Sequence, residues 1–299
     1  MTHLLALLGV LSISFSAIFV RLASVSPVTA TFFRAAYAAP ILAVVWLAAR
    51  RADRRGARER WLAFASGLIL AVDLNLWHES IALVGAGLGT VIANVQVVFV
   101  AIAAWLLYAE RLRVERIVTI ALVLFGVALT SGLARHDAYG SSPVAGALIG
   151  VLAGLCYAVF LLIYRDANRT AGPRSGPLLD CTIGMALGAL ACAVFDPHFT
   201  VAPGRDAQLW LALLAVGSQV IGWLLIGTAL PRLPAIETSV LLLGQPVFAV
   251  IWGVLLFGEH LSTLQWAGSA IVLAGVAALS VQSAQRPQFP PSVRVTESR

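Results

Sequence analysis

Ten apolar runs, each about the length of a membrane-crossing helix, dominate this sequence. A transmembrane helix needs about 20 predominantly apolar residues. Backbone polar groups find no water in lipid, so each such run must form a helix. The runs cover residues 4–23, 28–49, 61–82, 87–108, 114–133, 145–165, 177–195, 208–230, 236–257 and 263–282. The sequence therefore predicts an all-α polytopic membrane protein with ten transmembrane helices.

The composition excludes a soluble globular protein, because only 11% of the residues are charged, against about 25% in soluble domains. The net charge of +6 comes from arginines that lie between the apolar runs. This distribution suits an anionic lipid surface and not a nucleic acid. The cysteines Cys156, Cys181 and Cys192 lie inside apolar runs without ligand-like spacing. Neither a metal site nor a cofactor is predicted.

The arginines also predict the orientation of the chain in a bacterial-type inner membrane. With the amino terminus in the cytoplasm, 16 of the 20 arginines fall in inner loops and the tail, with six of them in residues 50–60. The excess of arginine on one side places both termini in the cytoplasm. The first run lacks the basic flank of a signal peptide and is predicted to be a retained helix. Residues 285–299, rich in Pro, Ser and charge, are predicted to be a disordered cytoplasmic tail.

An internal repeat divides the chain into residues 1–134 and 143–284. A shift of 149 positions aligns the fourth and fifth runs with the ninth and tenth, pairing Gln96 with Gln245 and Glu110 with Glu259. Because each half has an odd number of helices, the second half enters the membrane upside down. Inverted repeats are typical of alternating-access transporters with a substrate site near the bilayer midplane.

The second copy of the repeat also carries a family resemblance. The segment "LLLGQPVFAVIWGVLLFGEHLSTLQWAGSAIVLAGVAAL" has a proline in the ninth run and a Gly-Glu pair after it. The first half has "SPVTATFFR", with Ser26, Pro27 and Arg34, and "YAERL" from Tyr108. These segments resemble the EamA-type drug/metabolite transporters, and most of all their YddG-type amino-acid exporters. The resemblance implies a secondary transporter that exports neutral or aromatic amino acids by alternating access, with another metabolite or drug class as the alternative cargo.

Polar groups at membrane depth are the first candidates for a functional site. The third run carries such groups on two helix faces: Asn75, His78 and Glu79 share one, and Asp73, Trp77 and Ser80 share the other. We expect the face with Asn75, His78 and Glu79 to line the cavity; an interhelical hydrogen-bond network is the alternative. Arg34 lies at a similar depth and is predicted to pair with Glu79, unless it snorkels to the interface.

Further polar and aromatic residues are predicted near the midplane. They are Ser12, Ser16, Gln96, Tyr157, Gln219, Trp223 and Gln245. An amino acid needs acceptors for its ammonium group, donors for its carboxylate and apolar walls for its side chain. The set supplies all three, although each residue alone fits a packing role.

Three residues are candidates for gating. Pro246 should kink the ninth helix and form a hinge or a static bend. Glu110 and Glu259 end repeat-related helices, where a carboxylate opposes the helix dipole, so a neighbouring helix amino terminus or an arginine should compensate each charge. A structural tether is the alternative role for both. Glycine stripes at Gly146–Gly154 and Gly184–Gly188 are expected to serve close helix packing.

Two other function classes fit the sequence less well. An intramembrane enzyme would need a nucleophile and base at one depth, and His78 stands alone among the runs. A channel would favour oligomeric rings over a repeat within one chain. The oligomeric state is left open by the sequence, and a monomer fits it.

Overall fold

The computed structural model describes residues 2–108, 114–130, 139–168, 170, 172–229 and 244–284. All of the regular structure within these ranges is helical. The helices are α1 Thr2–Ser14, α2 Ser16–Ala23, α3 Pro27–Ala49, α4 Ala57–Val84, α5 Ala86–Ala93, α6 Gln96–Tyr108, α7 Val114–Thr130, α8 Pro143–Ala167, α9 Ser175–Ala193, α10 Arg205–Leu213, α11 Trp223–Ala229, α12 Gly244–Phe257 and α13 Thr263–Ala284. A 3₁₀ turn, Arg50–Ala52, follows α3, and a π-helical segment, Leu214–Gly222, joins α10 to α11.

Six helical stretches are long and apolar enough to cross a membrane, and four shorter apolar helices accompany them. The six coincide with the first three predicted runs and with the sixth, seventh and eighth. The shorter helices fall in the other four runs. The all-helical membrane architecture is thus confirmed, while the number of ten spans stays a prediction.

The fourth run is not the single helix that its apolar length predicts. α5 ends at Ala93 and α6 begins at Gln96. The Asn94 side chain donates to the Thr90 carbonyl at 2.8 Å, and the Asn94 and Val95 amides bond back only three residues. A side chain that bonds the local backbone competes with the helical ladder. The chain therefore tightens and turns at this point.

Helix α4 packs closely against α8 and α9, in the second half of the chain. A Cβ on Gly184 would overlap the Phe64 carbonyl, and one on Gly188 would lie 2.8 Å from the Ala71 Cβ. Gly154 approaches the Ala93 carbonyl in the same way. The expectation that the glycine stripes serve close packing is confirmed.

The contacts between the halves are reciprocal. The third run (α4) packs on the sixth (α8), and the eighth (α10 to α11) packs on the first (α1). The second run (α3) packs on the seventh (α9), and α7 packs on α13. The two halves thus share one buried interface, in which the polar side chains described next are found.

Candidate functional site

A buried arginine lies at the centre of the interface between the halves. Arg34 is only 4% exposed. Its Nε donates to Gln219 Oε1 at 2.8 Å, and its Nη1 donates to Ser16 Oγ at 3.0 Å. Gln219 Nε2 in turn donates to Thr182 Oγ1 at 3.2 Å. Side chains from both halves therefore hold the guanidinium in one position.

Local sequence places these groups. Ser26 caps α3, its Oγ accepting the Thr29 amide at 3.2 Å, and Pro27 opens the helix. Arg34 follows about 10 Å along the axis at 1.5 Å per residue. Gln219 lies in the π-helical segment, a distortion that is frequent at functional sites. Ser12, a predicted substrate contact, donates to the Gly217 carbonyl at 2.8 Å and so fixes that segment to α1.

Asp73 is the acidic side chain of this region. Its side chain, near the middle of α4, is buried (5% exposed) and interacts electrostatically with Arg34. Within the described residues the Asp73 carboxylate accepts no hydrogen bond, and Arg34 Nη2 donates none. The site therefore holds an acidic side chain and a guanidinium nitrogen that are both available for further hydrogen bonds.

Aromatic rings form a wall beside these charges. Tyr157 lies in the same buried region as Arg34 and Asp73 and stacks on Phe160 with ring centroids 5.4 Å apart. Trp223 meets Phe160 and Tyr164 edge to face at 6.1 and 6.4 Å. Ser16, Tyr157, Gln219 and Trp223 are thus brought to one region of the structure.

The predicted ion pair between Arg34 and Glu79 is not formed in the structure. Arg34 is turned to Gln219 and Ser16, in the interior of the bundle, and Glu79 is exposed. The two faces of the third run have different surroundings, because the face with Asp73 meets Arg34 while Asn75 and Glu79 line a cavity at one end of the bundle. We call this space, walled by residues 24–28, by Asn75, Leu76 and Glu79, and by the segment 195–204, the outer cavity.

In the described residues, no hydrogen bond joins the group around Arg34 to His78, Gln96 or Gln245. His78 is buried, with Nδ1 3.3 Å from both Thr31 Oγ1 and the Pro27 carbonyl oxygen. Gln96 is the first residue of α6, and Gln245 is the second residue of α12. Both side chains are partly buried.

Pro246 does not interrupt a described helix. It is the third residue of α12 as described, and the residues directly before α12 lie outside the described part of the chain. Residues 230–243 and Glu110 lie outside the described part of the chain, so a hinge at Pro246 and a gate at Glu110 stay predictions.

Glu259 has the compensating partners that its position demands. Its fully buried carboxylate accepts from Arg21 Nη1 at 2.5 Å and from the amides of Ala86 and Gly87 at 2.7 and 3.2 Å, at the start of α5. The Arg21 guanidinium also lies 4.1 Å from the centre of the Phe257 ring. Arg21 and Glu259 are 238 residues apart in the chain, and nothing in the neighbouring sequence shows that the fold brings them together.

A second ionic contact joins the halves at the arginine-rich end of the bundle. Arg55 holds Asp53 through two hydrogen bonds of 2.9 Å and reaches Asp180 on α9 at 2.8 Å. The Arg55 hydrogen bonds lower the pKa of the Asp53 carboxyl to about 2. Sequence reasoning gave residues 50–60 a role only in topology and missed this contact, because Asp180 lies far away in the chain.

Comparisons with known proteins identify the family. The model of the EamA-like transporter family matches residues 1–132 and 144–281. An uncharacterized transporter of Archaeoglobus fulgidus is 25% identical over 88% of this chain and 92% of its own length. An uncharacterized protein of Pseudomonas aeruginosa is 30% identical over 92% of this chain and 93% of its own.

Two further comparisons concern a relative with a named activity and a solved structure with a similar fold. The threonine/homoserine exporter RhtA of Escherichia coli is 29% identical over 43% of each chain. A crystal structure with 20% identity superposes with a TM-score of 0.64 over 95% of this chain and 99% of the other. That structure shows the shared fold. The chain therefore belongs to the EamA-like transporter family and is a membrane transporter, not an enzyme.

Proposed function

We propose that this protein exports small metabolites, specifically neutral or aromatic amino acids, across the inner membrane. The observation that carries the proposal is the burial of a basic and an acidic side chain, Arg34 and Asp73, in one region, where Arg34 Nη2 donates no hydrogen bond among the described residues. The α-carboxylate of the cargo accepts from the free Nη2 of Arg34, and the α-ammonium donates to Asp73. Charge-assisted hydrogen bonds of this kind are about twice as strong as neutral ones.

The aromatic wall sets the side-chain preference. Tyr157, Phe160 and Trp223 offer ring faces and edges to an apolar or aromatic side chain. A cargo with a charged side chain would bring a buried charge without a partner, which is costly in an apolar site. The activity named for RhtA, export of threonine and homoserine, supports an amino-acid cargo.

Alternating access between the two halves is the proposed mechanism. The reciprocal packing of the first with the eighth run and the third with the sixth supports an inverted repeat, and the charged cluster lies where the halves meet. The Arg21–Glu259 and Arg55–Asp180 contacts tether the two halves at opposite ends of that interface. In this proposal both termini face the cytoplasm, which puts residues 50–60 inside and the outer cavity in the periplasm.

Counterflow into liposomes tests the function. Purified protein is expected to take up radiolabelled phenylalanine or threonine with saturation, and faster when unlabelled amino acid is present inside. Asp73→Asn should raise the half-saturating concentration about tenfold, the loss expected for one charged hydrogen bond. Asp206→Asn, an exposed carboxylate at the start of α10, is the matched control and should behave as the wild type.

Transport of a different class of cargo would correct this proposal. Uptake of a sugar phosphate or a lipophilic cation, with no amino acid of the panel carried, would leave the family and the fold in place and replace the substrate class.

A further inference from the structure

Gln219, predicted from the sequence as a substrate contact, has both ends of its amide bonded to other protein groups. The residue is 0% exposed. Its Oε1 accepts from Arg34 Nε at 2.8 Å, and its Nε2 donates to Thr182 Oγ1 at 3.2 Å. A side chain without accessible surface leaves no atom for a cargo molecule to touch. Gln219 therefore acts on the cargo through Arg34 and not by direct contact.

The orientation of the Gln219 amide follows from its two neighbours. A guanidinium group can only donate hydrogen bonds, so the amide atom that faces Arg34 must be the oxygen. The amide nitrogen then faces Thr182 on α9, which is also fully buried and whose hydroxyl oxygen accepts. The π-helical segment that carries Gln219 is fixed to α1 in turn, since Ser218 Oγ donates to the Ser12 carbonyl at 3.3 Å. The amide is thus held in one orientation.

Both side chains that accept hydrogen bonds from Arg34 are neutral. Gln219 bonds Nε and Ser16 bonds Nη1, so two of the guanidinium nitrogens have protein partners. The guanidinium is planar and rigid, and fixing two of its nitrogens also sets the direction of the third, Nη2. Asp73 lies in the same region but accepts no hydrogen bond from Arg34 among the described residues. A neutral amide leaves the guanidinium to an anionic group of the cargo, whereas a carboxylate at position 219 would form a charge-assisted pair with it.

We propose that Gln219 is the positioning residue that makes the Arg34 site select a cargo with a carboxylate. It directs Nη2, and its neutral amide leaves the guanidinium to the cargo. A glutamate at this position has nearly the same size, and the Thr182 hydroxyl can turn to donate to it. It would occupy Arg34 as an internal carboxylate and remove the preference for one on the cargo. The inference rests on the proposed function, because the cargo carboxylate is taken to bind Arg34.

Binding of two ligands tests this role. Phenylalanine has the carboxylate, while phenylalaninol has a hydroxymethyl group in its place and keeps the ammonium group and the ring. Each is titrated in radiolabelled form against the purified full chain in detergent, near neutral pH, in a scintillation proximity assay. The wild type is expected to bind phenylalanine about tenfold more tightly than phenylalaninol. Gln219→Glu should weaken phenylalanine binding about tenfold or more and keep phenylalaninol binding within about twofold.

Ser218→Ala is the matched control. It removes a hydrogen bond of the same π-helical segment without touching Arg34, and it should keep the wild-type ratio of the two affinities. Equal weakening of both ligands in Gln219→Glu, or weakening of neither, would overturn the proposal, because a purely structural role does not distinguish the two ligands.

A second variant decides if Gln219→Glu fails to fold. Thr182→Val removes the partner of the amide nitrogen, so it should weaken phenylalanine binding about fivefold and phenylalaninol binding less than about twofold. Equal losses for the two ligands in this variant would again overturn the proposal. Failure of the proposed function is a different result: a wild type that binds no phenylalanine would overturn that function and this inference with it.

Discussion

Replacing Glu259 with Gln is expected to lower the free energy of unfolding by about 2–3 kcal/mol. The carboxylate is fully buried and accepts three hydrogen bonds, one from Arg21 and two from the amides that begin α5. Removing one partner of a buried pair costs about 3–5 kcal/mol. The lower part of the range applies because Gln still offers one oxygen to an amide, and because Arg21 is 32% exposed and can bind water instead.

A double-mutant cycle with Arg21→Gln measures this contact. Both single variants and the double variant are unfolded chemically in one detergent, and the transport rate of each folded protein is compared. The two changes should not be additive, since they remove the same ion pair. Because the contact is interpreted here mainly as a tether, the transport rate per folded molecule should stay within about twofold.

Two results would refute the reasoning for Glu259. A loss of stability below about 0.5 kcal/mol, the usual range for surface substitutions, would show that the buried pair contributes nothing. Unchanged stability with lost transport would instead identify a gate.

Three further predictions follow from other parts of the molecule. Gly67→Ala should lower the yield of folded protein in size-exclusion chromatography, since its Cβ would overlap the Cys181 carbonyl, whereas Gly204→Ala meets no atom within 4 Å and should fold normally. Arg55 lowers the pKa of Asp53 from 3.8 to about 2, so the unfolded state takes up this proton at a higher pH than the folded state does. The stability that the ionised Asp53 contributes above about pH 4 is therefore lost as the pH falls toward 2. Asp53→Asn should flatten that part of the curve of melting temperature against pH. Cysteine introduced at Gly56 should react with an impermeant maleimide only from the cytoplasmic side, and periplasmic labelling would reverse the orientation.

The sequence predicts where the helices lie but not which side chains contact each other. Runs of apolar residues locate α3, α4, α8 and α9 to within a few residues, because lipid leaves the backbone no alternative to a helix. Helical periodicity also separates Asp73 from Asn75 and Glu79 correctly. It contains no information on which neighbour each face meets.

The Arg34 site shows why those partners were missed. Arg34 and Gln219 are 185 residues apart and meet through a π-helical segment, which an apolar run does not reveal. The break at Asn94 depends in the same way on one side chain bonding the Thr90 carbonyl. Similar depth in the membrane predicted Glu79 as the partner of Arg34, but the packing of the two halves turns Arg34 to Gln219 and Ser16 instead.

The most direct test of the central claim compares phenylalanine with N-acetylphenylalanine as labelled cargo in the same proteoliposomes. Acetylation removes the ammonium group that Asp73 is proposed to receive and leaves the carboxylate for Arg34. We predict saturable counterflow of phenylalanine and a rate at least about tenfold lower for the acetylated form, the equivalent of one charged hydrogen bond. Equal rates for the two compounds, or no counterflow of phenylalanine, would contradict recognition of an amino acid by the Arg34–Asp73 site.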